Sequence, residues 1–304
     1  MSLVALFKRP GPSGFGYSST AEQVTEGVDA TGKTFLVTGA NSGLGLETTR
    51  VLSLRGAHVI AAARTVAKAK AALDELGVAG TPVACELSEP ASVRACVEAV
   101  RDTGRSLDGI IANAGVMALP ELQQKYGFEL QFLTNHIGHF ILVTGLLGLL
   151  TPRGRVVMLS SSAHTQAPPE GIQFDNLSGA RDYKPWVAYG QSKLANMLFA
   201  RQLAKRLPAG QTANAVHPGV IPTNLGRHVN PVFMSLFRAS RRLFLKTIPQ
   251  GAATQCYVAL NPGAAEISGE YFADCNVAES SPQGRDMAVA EQLWAKSEEI
   301  VAKL

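Results

Sequence analysis

The sequence predicts an α/β fold in which a doubly wound parallel sheet carries helices on both faces. From Thr34 onward, short β-rich runs alternate with amphipathic helical segments. A glycine-rich turn at residues 38–45 joins the first run to the first helix, and polar residues follow the later runs. Regular alternation of strand and helix favours right-handed crossovers, which place helices on both faces of a parallel sheet.

The composition limits the classes of function. The chain has 304 residues and a formal net charge of +4, with 46% hydrophobic and 17% charged residues, which excludes wholesale disorder. The basic excess is small and scattered, which argues against nucleic acid as a partner. The four cysteines form no C-x-x-C pair and show no metal-type spacing with the six histidines. We therefore expect no metal site, a reducing compartment and, by default, a cytoplasmic protein.

The chain divides into an N-terminal arm, residues 1–33, and one domain, residues 34–304. The arm holds prolines and glycines but little periodic apolar pattern. The predicted strands are Thr34–Thr38, His58–Ala62, Pro82–Leu87, Gly109–Ala112, Arg155–Leu159, Thr212–Val216 and Gly269–Ala273. The predicted helices cover residues 44–55, 65–76, 91–102, 121–150, 187–207 and 285–302.

Residues 224–248 interrupt this rhythm with apolar side chains among arginines. We interpret them as a helical lid over a bulky lipophilic substrate; a helix at a membrane surface and ordinary packing against the domain are the alternatives. The longest apolar stretch, Phe140 to Leu150, has eleven residues and is too short to cross a bilayer. The sequence therefore predicts no transmembrane segment and leaves peripheral contact with a membrane open.

The turn after the first predicted strand has the features of a dinucleotide site. Its glycines allow a tight turn and let a pyrophosphate approach the backbone N–H groups at the start of the helix. A merely tight turn is the alternative, but the position after the first strand favours binding. The residues expected to bind the cofactor here are Gly39, Asn41, Ser42, Gly43, Leu44 and Gly45.

Arg64 stands at the end of the second predicted strand, where it bears on the choice of cofactor. In dinucleotide folds an acidic residue about 20 positions after the glycines binds the ribose 2′-hydroxyl of NAD, whereas an arginine suits the 2′-phosphate of NADP. No Asp or Glu occurs between Glu47 and Asp74. The sequence therefore favours NADP(H), with a merely solvated Arg64 as the alternative.

Tyr189 and Lys193 lie four residues apart on a predicted helix, so they project from one face. A nearby ammonium stabilises a phenolate, and we expect it to lower the pKa of the tyrosine towards neutral pH. Ser160, Ser161 and Ser162 end the fifth predicted strand, and ligands of parallel sheets bind at such strand ends. A half-buried tyrosine beside a solvated lysine is the alternative interpretation.

These motifs together are similar to those of the short-chain dehydrogenase/reductase family. The resemblance extends from about residue 32 to 275 and rests on TGANSGLG at 38–45, ANAG at 112–115, NHIGHF at 135–140, LSSSAH at 159–164, YGQSK at 189–193 and HPGVIPT at 217–223. The segments at 19–33 and 249–262 resemble a branch that includes the retinol dehydrogenases, the WW-domain oxidoreductase and a plant oxidoreductase associated with the chloroplast inner-envelope translocon. The resemblance implies a Rossmann fold and a nicotinamide-dependent oxidoreductase, for which Arg64 favours NADP(H).

The resemblance implies roles for four residues. Tyr189 is the expected general acid or base, Lys193 is expected to lower its pKa and hold the nicotinamide ribose, and Ser161 is expected to hydrogen-bond the substrate oxygen. Asn135 is expected to anchor a water that connects the lysine to solvent, or else to hydrogen-bond a bend in its helix. The serines on either side of Ser161 stay open as alternatives to it. The histidines within the motifs are interpreted as structural hydrogen-bonding groups: His136, His139, His164 and His217.

The resemblance also implies further cofactor contacts. Glu86 and Leu87 stand where the family usually has Asp-Leu against the adenine, which is a difference of one methylene. Ala112 replaces the first Asn of the usual Asn-Asn-Ala-Gly. The remaining expected contacts are Asn113, Ala114, Gly115, Tyr189, Lys193, Pro218, Gly219 and Thr223.

The expected reaction is hydride transfer between nicotinamide and the carbonyl or alcohol carbon of a lipophilic small molecule, with Tyr189 moving the proton. A cofactor-sensing scaffold of a protein complex and a reductase of carbon–carbon double bonds on the same fold are the alternative hypotheses. The Ser, Tyr and Lys set is complete, which argues against the scaffold. The family often pairs the tyrosine-bearing helix with its symmetry mate, so a homodimer is one expectation.

Overall fold

The structure, a computed structural model, describes residues 8–221 and 245–304. Its strands in chain order are β1 (Thr34–Thr38), β2 (His58–Ala63), β3 (Gly80–Ala84), β4 (Leu107–Ala112), β5 (Gln124–Lys125), β6 (Phe128–Glu129), β7 (Leu150–Leu159), β8 (Thr212–His217), β9 (Tyr271–Ala273) and β10 (Asn276–Val277). Eight of them form one sheet in the order β10-β9-β8-β7-β4-β1-β2-β3, while β5 and β6 form a separate hairpin. The neighbouring strands of the large sheet are parallel apart from β9 and β10, which are antiparallel.

Helices cover both faces of this sheet. Within the described residues they are α1 (Gly43–Leu54), α2 (Val66–Leu76), α3 (Pro90–Arg101), α4 (Leu130–Phe132), α5 (Gly138–Leu146), α6 (Pro185–Ala204), α7 (Ile248–Leu260) and α8 (Met287–Lys303). Side chains of β1 alternate between two cores, since Phe35 and Val37 pack with α1 and α7 while Leu36 packs with α5 and α6. The doubly wound sheet predicted from the sequence is therefore confirmed.

The order of the strands creates a crevice beside β1. The chain runs outward from β1 through β2 to β3 on one side of the sheet, and from β4 through β7 to β8 on the other. The connections that leave β1 and β4 therefore turn in opposite directions. Ligands of such sheets bind at the carboxyl ends of the strands at this switch point, where residues 38–45 and 112–115 meet.

The helix predicted over residues 121–150 is wrong in its first nine residues. Residues 124–129 instead form the β5–β6 hairpin, in which Tyr126 and Gly127 have φ angles of 53° and 83°. An α-helix cannot contain successive left-handed residues, so helical structure begins only at Leu130. The Glu129 side chain then accepts a hydrogen bond from the backbone N–H of Phe132 and caps the helix.

The third strand and helix α7 also differ from the prediction. The third strand ends at Ala84 rather than Leu87, because the backbone N–H of Glu86 turns to the side chain of Ser92 at the start of α3. Helix α7 is absent from the prediction, although Thr247 and Gln250 form a capping box at its start. The spacing of these two residues was the available signal in the sequence.

Residues 8–33 pack against the domain, and three of their side chains are fully buried in the core that contains β1 and α7: Ala21, Val24 and Ala30. Residues 224–244 of the expected lid lie outside the described residues. The last residues of that segment lead into α7, and Lys246 donates its backbone N–H to the carbonyl of Val220.

One helical stretch in the described parts of the chain, Leu130–Leu149, is long and apolar enough to cross a membrane by length and composition. It contains α4, α5 and the π-helical turn Leu133–Ile137 that joins them. Within the folded domain 72% of this stretch is buried, so its apolar side chains form part of the protein core.

Candidate active site

The glycine turn forms a backbone cradle at the start of α1. Gly39 and Gly43 have φ angles of 66° and 54°, in the left-handed region that favours glycine. A Cβ atom at Gly45 would lie 2.6 Å from Nδ2 of Asn113 and closer still to the carbonyl of Gly39. The N-cap residue, Ser42, makes no side-chain capping bond, so its hydroxyl does not use the first N–H groups of the helix. This cradle fits the pyrophosphate of a dinucleotide.

A cleft of about 490 Å³ opens at this edge of the sheet. Its walls are the glycine turn and the segments that follow β2, β3 and β4. The lining includes these residues expected to bind the cofactor: Gly39, Asn41, Ser42, Gly43, Leu44, Arg64, Glu86, Leu87, Asn113, Ala114 and Gly115. The structure thus brings these expected contacts together in one cleft, whereas Gly45 lies against the Gly39 carbonyl and does not line it.

Asn113 connects the end of β4 to the end of β1. Its Nδ2 donates to the carbonyl of Thr38 at 2.8 Å, and its backbone N–H donates to the Thr38 hydroxyl at 2.9 Å. The backbone N–H of Ala114 donates to the same hydroxyl at 3.0 Å. These three bonds hold the two strand ends together under the glycine turn.

Arg64 and Glu86 lie along the cleft beyond the glycine turn. Arg64 follows β2 directly and is exposed. The carboxylate of Glu86 accepts from both the hydroxyl and the backbone N–H of Ser88, at 3.0 Å and 3.3 Å. Glu86 therefore already has a partner in its own turn, whereas the Arg64 side chain extends into solvent beside the cleft.

Tyr189 and Ser161 meet where β7 ends against α6. Tyr189 is only 6% exposed, and this burial raises its pKa to about 12, although a hydrogen bond with the Ser161 side chain acts in the opposite direction. Nζ of Lys193 lies 5.8 Å from the centroid of the tyrosine ring. The expectation of a lowered tyrosine pKa is therefore wrong for this arrangement of protein groups, because burial outweighs the stabilisation of the phenolate.

Lys193 is also buried, and the loss of solvation lowers its pKa to about 8. Its Nζ donates to the carbonyl of Leu159 at 3.0 Å. A Cβ atom at Gly115 would lie 3.5 Å from the same Nζ. Because Leu159 and Gly115 both line the cleft, the ammonium lies directly behind the cleft wall.

The three serines after β7 face different partners. Ser160 is buried, and its hydroxyl donates to the carbonyl of Lys193 at 2.8 Å. The Ser161 hydroxyl accepts the backbone N–H of Ala163 at 3.1 Å and lies close enough to Tyr189 to act on the pKa of its phenol. Ser162 is exposed. The contact with the tyrosine therefore selects Ser161 from the three.

Asn135 is fully buried in the π-helical turn between α4 and α5. Its Nδ2 donates to the carbonyl of Val116 and to the hydroxyl of Ser192, both at 2.9 Å. Its Oδ1 accepts the backbone N–H of Val116 at 2.8 Å. The amide thus holds the backbone after β4, a structural role different from the hydrogen bond within its own helix that the sequence left open. A water between Asn135 and Lys193 stays a prediction.

His139, interpreted from the sequence as structural, connects Asn135 to the cofactor wall. Its Nδ1 lies 2.8 Å from the carbonyl of Asn135, and its Nε2 lies 3.0 Å from the hydroxyl of Thr38. A carbonyl only accepts, so Nδ1 carries the proton and Nε2 accepts from Thr38. Burial lowers the pKa of His139 to about 4 and keeps the ring neutral. The spacing of four residues from Asn135 is the sequence signal for this contact.

The expected contacts after β8 are placed only in part. Gly219 has a φ of 90°, and a Cβ there would lie 2.6 Å from Cδ of Lys246. Lys246 is buried and pairs with Asp274 at 2.7 Å. Pro218 and Gly219 therefore lie beside this ion pair, and their contact with a carboxamide stays a prediction. Thr223 lies outside the described residues.

The site combines a protonated phenol, a hydroxyl and a buried ammonium, and the ammonium lies behind the wall of a cleft suited to a dinucleotide. At neutral pH a phenol with a raised pKa keeps its proton and can donate it to an oxygen that gains negative charge. The described residues contain no group of three His, Cys, Asp or Glu side chains arranged to hold a metal ion. The protein groups present are therefore suited to proton transfer and to the stabilisation of charge on oxygen.

Comparison with known proteins gives close relatives over nearly the whole chain. Short-chain dehydrogenase TIC 32 A, chloroplastic, from Brassica napus is 43% identical over 314 residues, which cover 97% of each chain. Retinol dehydrogenase 14 from Homo sapiens is 40% identical over 297 residues, which cover 90% of this chain and 87% of that protein. These relatives confirm the branch that the sequence motifs indicated.

Solved structures agree with the fold. An uncharacterised protein from Mycobacterium paratuberculosis has a TM-score of 0.74 and 33% identity, over 92% of this chain and 97% of that chain. A short chain dehydrogenase from Burkholderia cenocepacia in complex with NADP has a TM-score of 0.63 and 23% identity, over 80% of this chain and 96% of that chain. The family model described as short chain dehydrogenase matches residues 33–232. The chain therefore belongs to the short-chain dehydrogenase family of oxidoreductases.

Proposed function

We propose that this protein transfers hydride between NADP(H) and the carbonyl or alcohol carbon of a lipophilic small molecule, with Tyr189 as general acid or base. The observation that carries the proposal is the grouping of Tyr189, Ser161 and Lys193, with the Lys193 ammonium directly behind the wall of a cleft that fits a dinucleotide. Oxidoreductase membership of the family supports it, and the relatives named as retinol dehydrogenases suggest a lipophilic alcohol or carbonyl.

The cleft residues would divide the cofactor between them. The glycine cradle and the start of α1 would bind the pyrophosphate, and the segment 113–115 would line the ribose and nicotinamide. Arg64, exposed at the cleft, would pair with the 2′-phosphate. When bound, the nicotinamide supplies the hydride in reduction and accepts it in oxidation.

The protein groups would move and hold the proton. In reduction, Tyr189 would donate its phenol proton to the carbonyl oxygen, and Ser161 would donate a hydrogen bond to the same oxygen. Lys193 would stabilise the phenolate as it forms. A tyrosine pKa of about 12 keeps the proton available at neutral pH, which favours reduction; oxidation of an alcohol needs the phenolate and so benefits from alkaline pH.

Apolar side chains in the cleft and an indole beside Tyr189 support an apolar substrate. Met117, Leu119 and Leu130 line the cleft. Trp186 contacts the tyrosine ring edge-to-face, with centroids 6.1 Å apart, yet 40% of it stays exposed. An exposed indole beside the acid is suited to contact with an apolar ligand. The role of the expected lid, and with it any contact with a membrane, stays a prediction.

Turnover with a panel of aldehydes, ketones and enones tests the proposal. Purified protein is mixed with NADPH and each compound, and the absorbance of the nicotinamide is followed. Tyr189→Phe removes the proton donor but keeps the ring, so we expect it to lower kcat about 10²- to 10⁴-fold. Tyr126→Phe is the matched control, because Tyr126 is exposed on the β5–β6 hairpin and its hydroxyl donates to a surface carboxylate, that of Glu89.

Three results would contradict the proposal in different ways. If Tyr189→Phe kept its activity to within threefold, the role of the phenol as acid would fail. If NADPH bound without turnover of any compound, the cofactor-sensing scaffold would be favoured. If only enones were reduced, at the carbon–carbon double bond, the alternative reductase would be favoured.

Location and assembly are finer parts of the proposal. The cytoplasmic location expected from the sequence stays a prediction, and the chloroplastic relative makes a plastid the competing location.

Helix α8 packs along α6, where Trp294 stacks on Phe199 with ring centroids 5.5 Å apart. This packing covers part of the helix through which a family-type homodimer would form, so we favour a monomer.

A further inference from the structure

The peptide unit between Ser161 and Ser162 is bonded to two imidazole rings. Nδ1 of His164 lies 2.6 Å from the carbonyl oxygen of Ser161. The N–H of Ser162 donates to Nδ1 of His217 at 3.1 Å. The carbonyl of Ser161 also accepts the backbone N–H of His164 at 3.1 Å. Both polar groups of one peptide unit are therefore held by histidine side chains.

The partners of each ring fix its tautomer. His164 must carry its proton on Nδ1, because the Ser161 carbonyl only accepts, and its Nε2 accepts the backbone N–H of Ser281 at 3.1 Å. His217 must leave Nδ1 free of a proton, because the Ser162 N–H only donates. The neutral form of His217 therefore carries its proton on Nε2.

We propose that His164 and His217 are positioning residues that hold the Ser161–Ser162 peptide, and through it the Ser161 hydroxyl, against Tyr189. This arrangement, the histidine clamp, rests on the proposed role of Ser161 in the reaction. Ser161 is extended, with φ −160° and ψ 158°, and rotation of the following peptide unit changes that ψ. A displacement of about 1 Å at a reacting group is enough to cost about a hundredfold in rate.

The clamp joins parts of the chain that the sequence keeps far apart. Ser161 follows β7, and His217 is the last residue of the neighbouring strand β8. His164 lies in the short 3₁₀ helix after the serines, and its second ring nitrogen reaches Ser281 in the segment before α8. The orientation of one peptide unit is thus set by two strand ends and the C-terminal segment together.

Neither ring can gain a proton without the loss of a contact, because an imidazolium has no acceptor nitrogen. Burial is the main cause that lowers the pKa of both rings, that of His217 to about 4. The charged and titratable groups that face the two rings are Lys8, Lys246, Asp274, Arg201 and Tyr271. Of these, Asp274 alone raises the pKa of His217, while the two lysines lower it. The neutral clamp is therefore the form present at neutral pH.

Paired substitutions separate the hydrogen bonds from the bulk of the rings. An asparagine side chain ends near the position of Nδ1 of a histidine, whereas a glutamine side chain ends near Nε2. His217→Asn keeps an acceptor for the Ser162 N–H, and His217→Leu removes it. His164→Asn keeps a donor for the Ser161 carbonyl, and His164→Gln removes it.

We expect His217→Leu and His164→Gln to lower kcat for carbonyl reduction about tenfold to a hundredfold, with the Kd for NADPH within about twofold of the wild type. The two asparagine variants are expected to recover kcat to within about threefold of the wild type, because they keep the bond to the peptide. Equal losses within each pair would overturn the proposal. So would a loss of NADPH affinity as large as the loss of kcat, which indicates general disruption.

Nitrogen-15 chemical shifts of the imidazole rings test the clamp without turnover. In the wild type at pH 7 we expect the proton of His164 on Nδ1 and that of His217 on Nε2. A proton on Nδ1 of His217 in an active enzyme would overturn the clamp alone. Absence of all carbonyl turnover in a wild type with the expected tautomers would instead overturn the proposed function and leave the hydrogen bonds of the clamp supported.

Discussion

The cofactor half of the site and its chemical half are built in different ways. The cofactor half is mainly backbone and glycine in one continuous turn, residues 38–45, at the start of α1. The chemical half consists of buried polar side chains whose partners lie far along the chain: Lys193 bonds to Leu159, 34 residues away, and Ser281 bonds to His164, 117 residues away. A binding surface can thus be encoded locally, whereas proton-transfer groups depend on the whole fold.

The electrostatics follow the same division. Burial shifts the pKa values in the chemical half, that of Tyr189 to about 12, that of Lys193 to about 8 and that of His139 to about 4. Arg64 in the cofactor half is exposed instead. Substitutions in the cofactor half are therefore expected to change binding, and those in the chemical half to change rate and pH dependence.

The largest expected effect in the cofactor half is that of Gly45→Ala. The new Cβ would overlap the Gly39 carbonyl and lie 2.6 Å from Nδ2 of Asn113, so the turn must open. Overpacking of this kind costs about 1–3 kcal/mol, and the two close contacts put the effect near the upper end, at about a hundredfold in the Kd for both NADPH and NADH. Equilibrium titration of the intrinsic or cofactor fluorescence measures it.

Gly148→Ala is the matched control for the glycine substitution. A Cβ at Gly148 meets no heavy atom within 4 Å, so neither Tm nor cofactor affinity is expected to change. With saturating cofactor, Gly45→Ala should keep kcat to within about threefold. A fall in kcat with unchanged Kd would break the division between the two halves, because the cradle would then act in the chemistry.

Arg64→Ala has a smaller expected effect, confined to one cofactor. Because Arg64 is exposed, solvent and salt screen its attraction for a 2′-phosphate, and we expect a loss of about tenfold in NADPH affinity at moderate salt. The Kd for NADH should change by less than about twofold, since NADH has no 2′-phosphate. Lys68→Ala, on the exposed face of α2, controls for the loss of one positive charge. Equal losses for the two cofactors would refute the role of Arg64.

The contrast also explains what the sequence could predict. The first strand, Thr34–Thr38, and the turn after it were predictable, because glycine positions and an apolar run act over a few adjacent residues. The β5–β6 hairpin was not, since the left-handed φ of Tyr126 is unusual for a tyrosine and leaves no pattern in the sequence. Local structure is thus read from the sequence where it depends on local sterics.

The chemical half was predictable only as a set of residue types. The sequence identifies Tyr189, Lys193 and Ser161, but it predicts a lowered tyrosine pKa because it shows the neighbouring ammonium and not the burial. The sequence indicates only structural roles for His164 and His217, since nothing in their spacing shows that both contact one peptide unit. The burial of a side chain and its hydrogen bonds to distant residues become known only from the folded structure.

The pH dependence of carbonyl reduction tests the role of the buried groups in the chemical half. Burial lowers the pKa of Lys193 from its ordinary value of 10.5 to about 8, so the ammonium is present below about pH 8 and lost above it. Tyr189 keeps its proton to about pH 12. We therefore expect kcat/KM for carbonyl reduction to be constant between about pH 6 and 7 and to fall about tenfold per pH unit well above pH 8. Initial rates measured from the nicotinamide absorbance between pH 6 and 10 check this.

Lys193→Arg replaces the lysine with a cation that stays protonated throughout this pH range. We expect the variant to be slower than the wild type at pH 7 but to show no decline between pH 8 and 10. Between about pH 8 and 10.5 Lys193 binds a proton in the unfolded state but not in the folded state. The free energy of unfolding of the wild type should therefore rise with pH in that window. That of the Lys193→Arg variant should not. If the decline above pH 8 occurred in the Kd for NADPH and not in kcat, Lys193 would act with the cofactor half, and burial alone would no longer separate the two parts of the site.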